Sequence, residues 1–316
     1  MGVILYMVIP CYNEEQVINK TVRCLSEKLS CMNGDKLISS DSRILLVNDG
    51  STDRTWTIIE ELYKSNDWVI GINLSRNYGH QNALMAGYMM ARDYADIAIS
   101  MDADLQDDVS VLDKFVMEYN NGAQIVYGVR NSRKKDGIFK KNTAYLFYGL
   151  MNKLGVELVS DHAEYRLLSR KALEELDRYK EVNLFIRGII PMLGFKTAVV
   201  NYERKERAAG ETKYPLLKMI SFAINGITSL SVKPIKMITS IGLLISLISF
   251  GFLLYVIIET IIGVDLVRGW PTIVVLICFF GGFQIMCIGI VGEYIGKIYD
   301  ETKKRPRYII ENTILK

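Results

Sequence analysis

The chain has 316 residues, half of them hydrophobic, and a formal net charge of +3. So small an excess, with no interleaving of basic and aromatic residues, excludes a nucleic-acid-binding surface. Five cysteines without a C-x-x-C pair fit reduced thiols rather than a disulfide framework, and two histidines, His80 and His162, argue against a histidine-based zinc centre.

In chain order, the first 130 residues alternate short β-branched runs with segments of helical period. Strands are expected at Leu5–Ile9, Arg43–Asn48, Val69–Leu74, Ile97–Met101 and Gln124–Val129. Helices are expected near 14–30, 52–64, 80–93 and 109–121. Nearly continuous apolar strands separated by helices predict an α/β fold, a mostly parallel sheet with helices on both faces. Such sheets bind ligands at the carboxyl ends of their strands, which is where the polar motifs fall. "PCYNEE" follows strand one, "NDGSTD" strand two, "SRNYGHQ" strand three and "DADLQDD" strand four. No G-x-G-x-x-G or G-x-x-x-x-G-K-[ST] is present, so dinucleotide and P-loop schemes are unsupported.

"DADLQDD" places Asp102, Asp104, Asp107 and Asp108 within seven positions. Carboxylates crowd in this way at a solvated loop or where a cation gathers their charge, and spacing alone does not choose. Asp107 and Asp108 also suit a helix N-terminus, as do Glu14 and Glu15, with Ser51 or Thr52 as an N-cap.

From 131 to 215 the pattern loosens. A helix is expected at 139–154, a strand at 164–169, a helix near 182–193 and a strand at 196–203. Residues 215–233 read as an amphipathic helix on a membrane surface. No charge then occurs between Lys236 and Glu259, or between Arg268 and Glu293. Each stretch is long enough for a bilayer, so 234–294 is expected to hold two transmembrane helices, about 237–258 and 270–292. Lys233 and Lys236 precede the pair, and Lys297, Lys303, Lys304, Arg305 and Arg307 follow it, while the link carries Arg268 alone. The positive-inside rule puts residues 1–214 and the basic tail 295–316 in the cytoplasm, on the inner membrane. The opening "MGVILYMVIP" reads as a strand rather than a leader. The basic runs 130–135 and 303–307 fit either solvated surface or an anionic leaflet.

"VIPCYNEE", "VNDGSTD", "LSRNYGHQNAL" and "MDADLQDD", in this order, resemble the motif series of family-2 glycosyltransferases with the GT-A fold. "EYRLLSRKAL", "GETKY" and the C-terminal hairpin narrow the resemblance to polyprenyl-phosphate glycosyltransferases of the bactoprenol glucosyltransferase type, related to dolichol-phosphate mannose synthases. It covers nearly the whole chain. Each motif alone is weak, and the ordered set is specific.

The resemblance implies a nucleotide-sugar site built from Pro10, Tyr12, Glu14, Asp49, Arg76, Asp102 and Gln106. It gives Asp104, with Asp102, to Mg²⁺ or Mn²⁺, a hard cation suited to a leaving diphosphate. It implies inverting transfer of a hexose, glucose from UDP-glucose first, onto undecaprenyl phosphate. Other nucleotide sugars stay open, as does a non-catalytic scaffold. A phosphate acceptor, with a second pKa near ~6, is already largely anionic and needs a basic clamp more than a base. Arg130, Arg133, Arg207 and Lys213 are the candidates. Glu164 stands where relatives often carry a catalytic aspartate, "E-Y-R-L" for "D-F-R-L", with Asp161 in reserve; either is also a fitting partner for Arg166. A homo-oligomer such as a tetramer is further implied. A processive polysaccharide synthase is disfavoured, since Q-x-x-R-W and additional spans are missing.

Overall fold

The computed structural model describes residues 2–130, 162–182, 184–203, 231–262 and 269–316. Among the described residues eight strands form one sheet: β1 Leu5–Cys11, β2 Arg43–Asn48, β3 Val69–Leu74, β4 Ile97–Ser100, β5 Ile125–Arg130, β6 His162–Ser169, β7 Thr197–Tyr202 and β8 Ile310–Ile314. Their spatial order is β7-β5-β6-β4-β1-β2-β3-β8. β6 runs antiparallel to β4 and β5, and β8 antiparallel to β3; every other pairing is parallel. β1 is buried along its whole length, as a strand covered on both faces must be.

One face of the sheet packs on α1 (Ile18–Gly34), α2 (Thr55–Ser65) and α4 (Leu112–Asn120). In α1 the buried Ile18, Thr21, Val22, Leu25, Leu29 and Met32 follow helical spacing and make one apolar stripe. The other face packs on α3 (His80–Tyr94), α5 (Arg170–Asp177) and α6 (Ile186–Met192). α3 lies so close to the sheet that a Cβ on Gly87 would sit 2.3 Å from Val8 Cγ1. α5 starts at Ser169, whose hydroxyl accepts from Ala172 N at 3.1 Å, an N-cap.

The expected strands of the first 130 residues and the helices following strands two to four match to within a few residues. α1 starts later than expected, because residues 12–17 are spent on a loop that cross-links with 51–55. Ser51 and Thr52 accordingly do not cap α2. Ser51 Oγ accepts from Asn13 N at 3.0 Å, and Thr52 N donates to Asn13 Oδ1 at 2.9 Å. Glu14 and Glu15 sit in this loop ahead of α1 rather than in its first turn. The helix expected at 139–154 and nearly all of that expected at 215–233 lie outside the described residues.

Two long helices follow, α7 (Lys233–Ile262) and α8 (Trp270–Thr302), of 30 and 33 residues. Tyr294 of α8 donates its hydroxyl to Ser231 O at 2.7 Å, tying the end of one helix to the start of the other. Only some of their side chains are described, and among the described residues no helix is long and apolar enough to cross a membrane. The expected basic tail is not a free extension: it returns to the sheet as β8.

Candidate active site

The carboxyl ends of β1, β2 and β4 and the turn after β3 enclose a cleft of about 380 Å³. Pro10, Cys11, Tyr12 and Glu14 line it from the first strand and Asp49 from the second. Asn77, Gly79 and His80 come from the third loop, and Asp102, Ala103 and Asp104 from the fourth.

Asp49 is 2% exposed and accepts backbone hydrogen bonds from Tyr78 N at 2.7 Å and Gly79 N at 2.9 Å. Burial nevertheless raises its pKa, against the lowering by those two N–H groups. Gly50, at φ +62°, permits this closeness, since a Cβ there would lie 2.2 Å from the carbonyl carbon of Arg76. Reciprocal bonds fix the first loop to the second: Glu14 N donates to Thr55 Oγ1 at 2.9 Å and Arg54 N to Glu15 Oε2 at 3.1 Å.

Asp102 and Asp104 stand two residues apart in the loop after β4, and both line the cleft. His80 Nε2 lies 3.1 Å from Asp102 Oδ1, with both side chains close to half exposed. Burial opposes charge on the imidazole, but the Asp102 hydrogen bond and the charges of Asp102 and Glu164 outweigh it and raise the His80 pKa. Asp104 Oδ1 accepts from Gln106 N at 3.2 Å across Leu105, which takes the left-handed conformation at φ +55°.

Among the described residues no group of three or more His, Cys, Asp and Glu side chains converges as a self-sufficient metal cage. Mg²⁺ and Mn²⁺ commonly take one or two protein carboxylates, with phosphate and water completing the shell. The hard oxygen donors of Asp102 and Asp104, open to the cleft, fit such an ion.

Behind the cleft, Glu164 of β6 is clamped by two guanidinium groups. Arg166 Nη2 donates to Glu164 Oε2, and Arg187 Nε donates to Glu164 Oε1 at 2.6 Å. Burial pushes the carboxyl pKa up, yet the two arginines and His80 override it and hold it at about 2. Glu164 is therefore an anion at every working pH and a weak proton acceptor. Arg166 is fully buried, and among the described residues its Nε and Nη1 have no hydrogen-bond partner.

Arg130 also has partners: its Nε donates to Tyr202 OH at 3.2 Å and its Nη2 to Asp107 Oδ1 at 3.4 Å. The Tyr202 hydroxyl itself donates to Asp107 Oδ1. Burial raises the Asp107 pKa, against the lowering by Tyr202 and Arg130. Asp107, expected as a helix-end acid, is thus a buried ion-pair partner. Asp108 does cap, accepting from Ser110 N at 3.1 Å at the start of a single 3₁₀ turn, Val109–Val111.

Of the expected nucleotide-sugar residues, Pro10, Tyr12, Glu14, Asp49 and Asp102 line the cleft, as does Asp104. Gln106 does not: it is buried beneath the Asp104 turn. Arg76 does not either, its guanidinium stacking on the Tyr78 ring 4.5 Å from the centroid. Asp161, Arg133, Arg207 and Lys213 lie outside the described residues. Sequence reasoning gave no place to Arg187 or Tyr202. Neither sits in a motif; Arg187 reaches Glu164 from the start of α6, across 23 positions of chain.

The Glycosyl transferase family 2 model matches residues 6–177, the segment that builds the cleft. An uncharacterized glycosyltransferase of Bacillus subtilis, YkoT, is 51% identical over 98% of this chain and 91% of its own length. A prophage bactoprenol glucosyl transferase homolog of Escherichia coli is 40% identical over 96% and 97%, and the bactoprenol glucosyl transferase of Shigella phage SfX is 39% identical over 97% and 98%. Among solved structures, glucosyl-3-phosphoglycerate synthase from Mycobacterium tuberculosis, in complex with Mn²⁺, UDP and phosphoglyceric acid, aligns with a TM-score of 0.50 at 17% identity. The alignment covers 72% of this chain and 78% of that one, which supports a common GT-A-like fold. From the first strand to the end of α5, and through relatives matched along nearly their full length, the chain belongs to glycosyltransferase family 2, with bactoprenol glucosyl transferases among its kin.

Proposed function

We propose that the chain is a membrane-anchored, metal-dependent, inverting glycosyltransferase that moves a hexose, glucose from UDP-glucose in the first instance, onto undecaprenyl phosphate. The observation that carries this reading is the convergence of Asp49, His80, Asp102 and Asp104 from three separate strand ends on one cleft. Relatives named bactoprenol glucosyl transferase at about 40% identity support the lipid phosphate acceptor.

Asp49 and the wall of Pro10, Tyr12 and Glu14 would hold the nucleoside. Asp102 and Asp104 would hold Mg²⁺ or Mn²⁺, which when bound neutralises the leaving diphosphate as a Lewis acid. His80, kept by Asp102 beside the same wall, adds a fixed dipole or charge there. In a single displacement, an acceptor phosphate oxygen forms its bond to the anomeric carbon opposite the departing diphosphate. The bond from that carbon to the diphosphate oxygen breaks with its electron pair, and UDP leaves. No proton need be removed from an ionised phosphate, which agrees with a Glu164 carboxyl too acidic to take one. Its role in this scheme is to hold Arg187 at the cleft. Arg130, with Arg133, Arg207 and Lys213, would let the two anions approach.

Two transmembrane helices, about 237–258 and 270–292, would anchor residues 1–214 to the cytoplasmic face of the inner membrane, with 215–233 on its surface and both termini in the cytoplasm. The two uncharged stretches support this, as do Leu243, Leu244, Leu247, Ile248, Ile277, Ile285 and Ile288, all exposed on α7 and α8. The same apolar belt offers a surface for a homo-oligomer such as a tetramer.

The test is transfer of radiolabelled sugar from UDP-glucose to undecaprenyl phosphate in membranes holding the chain, with Mg²⁺, with Mn²⁺ and with EDTA. A chloroform-soluble product that vanishes with EDTA is expected. No product with UDP-glucose, but product with another sugar nucleotide, corrects the donor alone. UDP binding without transfer from any donor refutes the reaction and leaves a nucleotide-binding scaffold.

A further inference from the structure

The strand β8 closes the sheet edge at β3, and edge protection alone would explain its presence. Its polar contacts go further. Ser75 N donates to Ile309 O at 3.0 Å. Ser75 opens the loop whose Tyr78 and Gly79 N–H groups bind Asp49, and whose Asn77 and Gly79 line the cleft. A second thread crosses three strands. Glu311 Oε2 accepts from Asn73 Nδ2 at 2.9 Å, and Asn73 Oδ1 accepts from Asn48 Nδ2 at 2.6 Å. Asn48 is buried and directly precedes Asp49.

Chemistry fixes the direction of this relay. An ionised carboxylate only accepts, so Asn73 must turn its amide nitrogen to Glu311 and its oxygen to Asn48. One thread thus starts on β8 and the other on Ile309, the residue just before it, and both end on neighbours of one buried cleft residue, Asp49. The strand is fastened independently at its far end, where Tyr63 OH donates to Leu315 O at 2.8 Å and Lys316 Nζ lies 2.7 Å from Asp67 Oδ1. Residues 303–309, which include Pro306, join α8 to β8.

We propose that β8 belongs to the donor site, with Glu311 as its positioning residue. This rests on the UDP-donor reading above. Because coupling between sites is reciprocal, UDP must also steady β8.

The experiment uses the full chain in phospholipid nanodiscs and measures UDP binding with Mn²⁺ by calorimetry. Glu311→Gln keeps an acceptor oxygen and is expected to bind as the wild type does. Glu311→Ala leaves Asn73 without its outer partner, an expected loss of about 5-fold, the scale of one hydrogen bond. Glu311→Lys puts a donor where the relay needs an acceptor, so both amides must turn, and about 10-fold or more is expected to be lost. Separately, amide hydrogen exchange at 309–315 of the wild type is expected to slow when UDP and Mn²⁺ are added, which a purely structural strand would not show. If Glu311→Lys fails to fold, Glu311→Ala and the exchange measurement decide. Wild-type affinity in folded Glu311→Ala or Glu311→Lys, or exchange at 309–315 indifferent to UDP, overturns the inference alone. A wild type that binds no UDP overturns it together with the donor reading.

Discussion

Glu164→Gln is the substitution in which the electrostatics of the site become measurable. The carboxylate touches Arg187 on one oxygen and the fully buried Arg166 on the other, and its pKa drops from 4.5 to about 2. A difference of that size corresponds to about 3 kcal/mol of preference for the charged form in the folded state. Only 11% of the side chain is exposed, so solvent screens little of it. The amide neutralises one side of the pair and leaves Arg166 as an uncompensated buried cation, a change that costs about 3–5 kcal/mol where it has been measured. A depressed carboxyl pKa contributes stability that is complete above 4.5 and is lost as pH falls toward about 2. Thermal melting of wild type and Glu164→Gln, full-length in nanodiscs, is therefore expected to differ by roughly 6–12 °C at pH 7. The gap should narrow steadily between pH 4.5 and the lowest pH the preparation tolerates. Melting temperatures that coincide at pH 7, or a gap unchanged down to pH 3, would refute the paired-anion account.

Four further outcomes follow from other contacts. Asp104→Asn is expected to lower metal-dependent transfer about 100-fold, the scale of one removed electrostatic stabiliser, with UDP-glucose turnover at saturating Mn²⁺ as the readout. Arg187→Ala should raise the KM for lipid phosphate more than that for UDP-glucose, because Arg187 stands on the Glu164 side of the cleft; equal effects on both would count against it. Gly87→Ala inserts a methyl 2.3 Å from Val8 Cγ1 and is expected to cost about 1–3 kcal/mol, read as a lower melting temperature. Tyr202→Phe removes the hydroxyl shared by Asp107 and Arg130 and should cost about 1–3 kcal/mol by the same measurement.

The parts legible in the sequence are those governed by local rules. Strands buried on both faces are nearly continuous apolar runs, so β1 to β5 could be placed within a few residues. A parallel sheet then sends polar motifs to one edge, so Asp49, Asp102 and Asp104 fell on the cleft wall as expected. What stayed hidden depends on packing between distant segments. Ser51 and Thr52 look like caps, and only the meeting of the first two loops turns them toward Asn13. Asp107 belongs by spacing with the surface acids, and only the pairing of β5 with β7 brings Arg130 and Tyr202 onto it. Gln106 fits a sugar-pocket residue by motif, yet the left-handed Leu105 folds it beneath Asp104.

The return of the tail to the sheet gives the architecture its logic. A catalytic domain held to a bilayer only by a flexible linker would sample many distances from a lipid phosphate. Here α7 begins at Lys233, Tyr294 of α8 is bonded to Ser231 beside that start, and α8 leads within a few residues to a strand of the catalytic sheet. The helix pair is thus fastened to itself beside Ser231 and, through α8 and β8, to the catalytic sheet. Val182 N donates to Glu301 Oε2 at 2.9 Å, and Arg307 donates to Tyr179 O, fastening the end of α8 to the segment just before α6. α6 carries Arg187, the residue on Glu164. The exit of the hairpin is therefore braced on both halves of the proposed site, through β8 toward Asp49 and through α6 toward Glu164. In the proposed reaction, where one anion displaces another at the anomeric carbon, this bracing would hold donor and acceptor groups in register.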